Sequence, residues 1–203
     1  MPDQPRVMAG DTPEERGLWN AFFAAPARPL TQLRPEWKSK PRRKGDGKTP
    51  VNPELLAALQ SIAFSALLIE YRMRRACEVI GVTLREDVSC RGLIQGFWSF
   101  VSQEPCWNGE GLCAKPAEWD NIRPHLEKLA QLRDDIVHVK WAVLLQKLGT
   151  DPLETAKRFY NHVIDAMMWI NIGTGYISAD GDPRAYFPRL KLQSPPQQSV
   201  QPD

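Results

Sequence analysis

The stretch from Asn52 to Gly81 constrains the fold of this chain most strongly, because no glycine and no proline after Pro53 interrupts it. Asn52 followed by Pro53 is a favourable helix start, and Gly81 is a favourable stop. Apolar residues recur between them at steps of three and four: Leu55, Leu59, Ile62, Ala66, Ile69 and Met73. The pattern predicts one long helix with a single buried face.

Three more helices are predicted downstream. The second covers the sequence SCRGLIQGFWSFVSQ and ends before Pro105, and the third runs from Pro124 to Leu148, before Gly149. The fourth begins at the capping-box-like sequence DPLE and ends at Gly173. No convincing alternating strand pattern is present. The sequence therefore predicts an all-α fold, a four-helix up-and-down bundle over residues 52–176.

The segments on either side of this domain differ in composition. Residues 1–51 are rich in proline, with one short helix predicted in EERGLWNAFFAA, and residues 177–203 are predicted to be a largely disordered tail. The first segment contains RPEWKSKPRRKGDGK, which is either a solvated flexible segment or an arm that binds nucleic acid. In the second interpretation Trp37 stacks on a base, and phosphates are bound by Lys38, Lys40, Arg42, Arg43 and Lys44.

Composition excludes little. The formal net charge of +2 gives no global argument for a polyanionic partner. We expect a cytoplasmic protein, because the sequence shows neither a signal-peptide pattern nor an apolar run of about 20 residues. The cysteines show no paired metal-ligand spacing, so we expect reduced thiols and no metal or cofactor. A zinc site with Cys106, Cys113 and His125 stays open as an alternative.

The predicted third helix carries two apolar faces. Its core face combines Leu129, Leu132, Ile136, Val139 and Val143. The opposite face combines Asp134, His138, Trp141 and Leu145, where a simple surface helix would carry charges. This pattern predicts a second contact surface, which a homodimer through the helix from Arg133 to Leu145 would supply.

Asp134 and His138 are four residues apart, so the carboxylate can reach the imidazole and orient it. Arg133 lies five residues before His138, and the two diverge by about 140° on an ideal helix. They converge on one phosphate only across a two-fold axis or where the helix is distorted. Of the other histidines, His125 is predicted to be structural, and His162 is predicted to lie on a polar face of the fourth helix with Asn161 and Asp165.

The region from Asn52 to Gly173 resembles a HEPN domain, an all-α fold whose ribonuclease members carry Arg-x4-6-His. Arg133 and His138 match that motif, and Asp134 follows the arginine where the family tends to have a polar residue. Glu70 is the candidate for an acidic residue that many members carry in the first long helix. Lys140 stands where antitoxin-modified members have tyrosine, so such modification is not supported.

The resemblance implies a metal-independent RNA endonuclease that acts as a homodimer in a toxin or defence role, with an antitoxin or other regulatory protein as a possible partner. His138 would act as acid or base and Arg133 would hold the scissile phosphate, leaving 2′,3′-cyclic phosphate ends. Glu70 and Asp134 would support these groups, and Lys140 would add a phosphate contact.

Two alternatives stay open. In one, His138 is an ordinary histidine, and Arg133 forms a surface ion pair with Asp134 or Asp135. The chain is then a non-catalytic HEPN-like module for dimerisation or for binding a nucleotide, RNA or a protein. In the other, the basic N-terminal arm alone binds nucleic acid.

Overall fold

A computed structural model describes residues 24–31, 52–103, 114–174 and 189–192. Within these ranges the chain forms six helices and no strand, so the prediction of an all-α fold is confirmed. The helices are α1 (Arg28–Thr31), α2 (Pro53–Ile80), α3 (Cys90–Gln103), α4 (Trp119–Val137), α5 (Trp141–Leu148) and α6 (Pro152–Thr174).

Helix α2 has the predicted boundaries, and both ends are capped as its sequence indicates. The side-chain oxygen of Asn52 accepts hydrogen bonds from the backbone N–H groups of Glu54 (2.9 Å) and Leu55 (3.2 Å). Gly81 has a φ of 87°, in the left-handed region that favours glycine, and its N–H caps the helix. By length and composition α2 could cross a membrane, and much of its surface is buried inside the protein.

The core is built around α2. Its most extensive contacts are with α6, and it also packs on α1, α3 and α4. Within the predicted stripe Ile62, Ala66, Ile69 and Met73 are buried, while the two leucines nearest the N-terminus pack partly buried against the core. An aromatic cluster joins α3 to the start of α4, with ring centroids of Trp98 and Trp119 5.6 Å apart.

The predicted third helix is wrong at its start and in its continuity. Helix α4 begins at Trp119 rather than Pro124, because Trp119 and Ile122 are buried in the core. It ends at Val137, and α5 starts only at Trp141. The backbone N–H of His138 donates to Asp134 O, and Val139 has a φ of 56°. A β-branched residue is uncommon in that region, so the local sequence gives no sign of the break.

This break also changes which side chains are buried. Leu129 and Leu132 lie in the core as predicted, but Val139 and Val143 are exposed (56% and 42%), so their assignment to the core stripe is wrong. Leu144 and Leu148, one helical turn apart, are the residues of α5 that pack inward. The chain turns at residues 138–140. The buried and exposed positions of α5 therefore do not follow from those of α4, as they would in one continuous helix.

Two short segments outside residues 52–176 also contact the helical core. Leu30 of α1 is buried, and Leu190 packs against the core beside α6. The second segment, residues 189–192, falls within the tail that was predicted to be largely disordered. The predicted N-terminal helix, apart from its last two residues, and the basic cluster with Trp37, Lys38, Lys40, Arg42, Arg43 and Lys44 lie outside the described residues.

Candidate functional site

Arg133 projects from α4 between two carboxylates. Its Nη1 donates to Oδ1 of Asp134 at 2.8 Å, and its Nη2 lies 3.6 Å from Oε2 of Glu70 on α2. The hydrogen bond to Asp134 raises the pKa of the guanidinium, partial burial opposes this effect, and the charge of Glu70 adds to it. Glu70 was singled out from the sequence as a supporting residue. It forms an ion pair with Arg133 between α2 and α4.

A second arginine shares the same carboxylate. Arg74 donates to Oε1 of Glu70 through Nε (3.2 Å) and Nη2 (3.1 Å), and Nη2 also donates to the carbonyl of Val88 (2.5 Å). This role of Arg74 was not predicted from the sequence, although its position one helical turn after Glu70 was a signal for an ion pair. Arg74 anchors Glu70 in the orientation that reaches Arg133.

Cys90, the first residue of α3, lies close to this cluster. Burial raises the pKa of its thiol to about 12, and the nearby negative charge of Glu70 acts in the same direction. The thiol is therefore protonated at neutral pH, which disfavours a role as a nucleophile. We therefore assign Cys90 to the packing behind the site.

The cluster is electrically balanced, which limits its chemistry. Glu70 and Asp134 contribute two negative charges, and Arg74 and Arg133 contribute two positive charges. A phosphate that approaches Arg133 therefore competes with two carboxylates for the same positive charge. The ion pair between Arg133 and Asp134 is also the contact expected for a non-catalytic protein.

His138 lies at the end of α4 and is exposed. Its imidazole makes no hydrogen bond or ion pair with the residues that the structure describes, and neither Arg133 nor Asp134 contacts it. The predicted pairing of Asp134 with His138 is therefore not seen, because Asp134 is engaged by Arg133 instead. The ring is free to meet solvent or a ligand.

Asp135 is the buried acid of this region, whereas its sequence pattern indicated only a surface ion pair with Arg133. It is only 2% exposed and accepts hydrogen bonds from Gln131 (3.2 Å) and Lys147 (2.5 Å). The hydrogen bond from Lys147 is the main reason that the pKa of Asp135 lies below its ordinary value. Lys140, predicted as a phosphate contact, has its Nζ 3.7 Å from Oδ1 of Asp135. Asp135 thus connects α4 to the break and to α5.

Exposed apolar side chains surround His138 in the sequence. We call the following residues the 137–145 surface: Val137 (63% exposed), Val139 (56%), Trp141 (50%), Val143 (42%) and Leu145 (49%). On α5, Trp141 and Leu145 flank the buried stripe of Leu144 and Leu148 on one side, and Val143 flanks it on the other. Such a concentration of large exposed apolar groups is typical of an interaction surface.

The described residues contain no group of three or more potential metal ligands. Of the alternative zinc site, Cys106 and Cys113 lie outside the described ranges. His125 instead stacks on His162 of α6, with ring centroids 4.0 Å apart and ring planes within 5°.

Comparisons with models of protein families, with curated proteins and with solved structures find no match to this chain. The resemblance to HEPN domains therefore rests on the sequence motif and the helical pattern alone.

Proposed function

We propose that this chain is a metal-independent RNA endonuclease with a HEPN-like helical bundle, acting as a homodimer through the 137–145 surface. One observation carries the proposal. An imidazole without a partner among the described residues lies exposed within that apolar surface, and Arg133, five residues earlier, pairs with Glu70 at 3.6 Å. A histidine that is solvent-accessible but next to an interface is suited to proton transfer in a site assembled by two copies.

The proposed reaction uses the ribose 2′-hydroxyl as the nucleophile. His138 takes the 2′ proton while the 2′ oxygen attacks the phosphorus, and the bond from phosphorus to the 5′ oxygen breaks. The leaving 5′ oxygen receives a proton from the His138 imidazolium of the second copy. The products are a 2′,3′-cyclic phosphate and a 5′-hydroxyl, and DNA is excluded because it lacks the 2′-hydroxyl.

Arg133 would bind the scissile phosphate through an exchange of partners. The Asp134 side chain is 40% exposed, so water can replace Arg133 as its partner, whereas Glu70 is more buried and is held by Arg74. The phosphate would therefore displace Asp134 and leave the contact with Glu70 in place. The guanidinium could then form paired hydrogen bonds to the phosphate oxygens.

The experiment is incubation of the purified chain with single-stranded and hairpin RNA in EDTA. We expect cleavage with cyclic-phosphate ends by the parent protein, and a loss of at least a hundredfold in both His138→Ala and Arg133→Ala. His125→Ala and Arg85→Ala are matched controls, because they remove the same side-chain types at positions outside the proposed site. Circular dichroism should show equal helicity for all variants. Equal cleavage by parent and His138→Ala would exclude this mechanism.

A non-catalytic dimerisation or binding module is the second candidate. The balanced charge around Arg133 favours it, because a guanidinium already paired with two carboxylates has little net attraction for phosphate. Sedimentation would then show a dimer that Trp141→Ser weakens, while no RNA is cleaved. In that case a regulatory protein or a nucleotide would be the ligand to seek.

A further inference from the structure

One buried side chain of α6 holds the main chain of the segment 189–192. Asn161, only 5% exposed, donates from Nδ2 to the carbonyl of Leu190 at 2.9 Å and accepts from the N–H of Leu190 at 2.8 Å. A single amide therefore satisfies both backbone groups of one residue. A neighbouring strand would offer the same pair of bonds, so the contact recognises extended main chain independently of its sequence.

Two further contacts involve the side chains of the same segment. Arg189 donates from Nη2 to Oδ2 of Asp165 at 2.6 Å, and Leu190 is partly buried against the core. Lys191 and Leu192 are exposed. The face of α6 therefore selects a basic residue followed by leucine, and it leaves the next two positions free.

The form of these contacts points to a replaceable ligand. They are made by Asn161 and Asp165, both already fixed within α6, and the segment itself contributes a single partly buried leucine. With the segment in place the Asn161 amide is shielded from water and both of its hydrogen bonds to Leu190 are satisfied. This arrangement does not, however, require that the occupant belong to the same chain.

We propose that this face of α6 is a docking site for an extended segment of a partner protein that carries a basic residue followed by leucine. The chain's own residues 189–192 occupy the site in cis. Because they belong to the same chain as α6, they compete with any partner segment intramolecularly. A partner segment therefore binds only when it outcompetes this internal ligand.

The probe is a fluorescent peptide with the sequence of residues 186–193, YFPRLKLQ, titrated into the full chain by anisotropy. We expect weak binding to the parent. Binding should be at least tenfold tighter to a variant with Arg189→Ser and Leu190→Ser, in which the internal ligand is weakened. Adding Asn161→Leu to that variant should abolish binding. A peptide with Leu190→Ser should not bind, and a peptide with Lys191→Ala, altered only at an exposed position, should bind like the original.

Three results would overturn the proposal. The first is no binding to the weakened variant, or binding that Asn161→Leu leaves unchanged. The second is exchange of the Leu190 amide hydrogen only through global unfolding, which would make residues 189–192 an integral part of the fold. The third is a dimer of the parent chain that Asn161→Leu dissociates, because the segment of a second copy would then be the occupant.

Discussion

At the scale of single residues, Asp135 shows why the sequence motif was difficult to interpret. Arg133, Asp134, Asp135 and His138 look alike as a polar group in an amphipathic run, yet only Asp135 is buried. The burial of Asp135 depends on the break after Val137 and on Lys147, which lies twelve residues after Asp135 in the sequence. Neither is visible in a local pattern, so the sequence could identify the polar group but not the role of each member.

Asp135→Asn removes the negative charge that pairs with both Lys147 and Lys140. We expect the free energy of unfolding at pH 7 to fall by about 1–3 kcal/mol, because the charge-assisted hydrogen bonds are lost. The pKa of Asp135 is lowered in the folded state, so its contribution is complete above the unfolded value of about 3.9 and is lost as the pH falls through the folded value. Urea denaturation should therefore show a flatter acid dependence for the variant. Asp87→Asn is the control, because that ion pair is exposed on both sides.

Cys90 gives a second test at this scale. With a pKa of about 12 instead of 9.0, its thiolate is roughly a thousandfold rarer than that of an ordinary cysteine. We expect iodoacetamide at pH 8 to modify Cys90 and the similarly buried Cys77 only when urea is added, as measured by peptide mass spectrometry. Labelling of Cys90 in the native protein at the rate of a small thiol would contradict the packing role given to it.

At the scale of elements, the prediction succeeded where local and tertiary signals agree. In α2 the cap residues lie at the two ends of the apolar stripe, so both helix ends were predicted correctly from Asn52 and Gly81. The break between α4 and α5 has neither glycine nor proline at residues 138–140. It is stabilised by Asp135 and by the burial of Leu144 and Leu148, which depend on the assembled core. A continuous helix was the better prediction from the local sequence.

Val139→Asn tests the break directly. Asparagine tolerates the left-handed conformation better than a β-branched residue, and Val139 is exposed, so we expect an increase in unfolding free energy of about 0.5–1 kcal/mol. Val137→Asn is the matched control, because Val137 is exposed but helical, where valine and asparagine have similar propensities and we expect little change. Chemical denaturation measures both. The absence of a gain from Val139→Asn relative to Val137→Asn would contradict the left-handed conformation at residue 139.

At the scale of the whole molecule, the site depends on contacts between helices that the sequence does not encode locally. The choice of Glu70 came from resemblance and not from spacing, and only the packing of α2 on α4 brings it to Arg133. The same holds for His125, predicted to be structural, and His162, predicted to lie on a polar helix face, because neither pattern indicated that the two rings meet. Their stack joins α4 to α6, and Arg189 lies close enough to influence it.

That stack makes the stability of the whole protein sensitive to mild acid. Burial lowers the pKa of His162 to about 4, and the neighbouring charges of His125 and Arg189 act in the same direction. Between pH 6.5 and 4 the unfolded chain therefore binds more protons at this site than the folded chain does. Stability from this group is complete above pH 6.5 and is lost as the pH falls towards 4, by about 2–3 kcal/mol.

His162→Gln should remove this dependence, because glutamine carries no proton that differs between the two states. We expect the unfolding free energies of parent and variant, measured in urea, to converge between pH 7 and pH 4. The acid effect of Asp135 is common to both and cancels in the difference. Protonated His162 also repels Arg189, while Asp165 holds Arg189 from the other side. Hydrogen exchange at the Leu190 amide should therefore accelerate in the parent below pH 5, relative to the variant. A constant difference in stability across this pH range would show that His162 is not kept neutral by the fold.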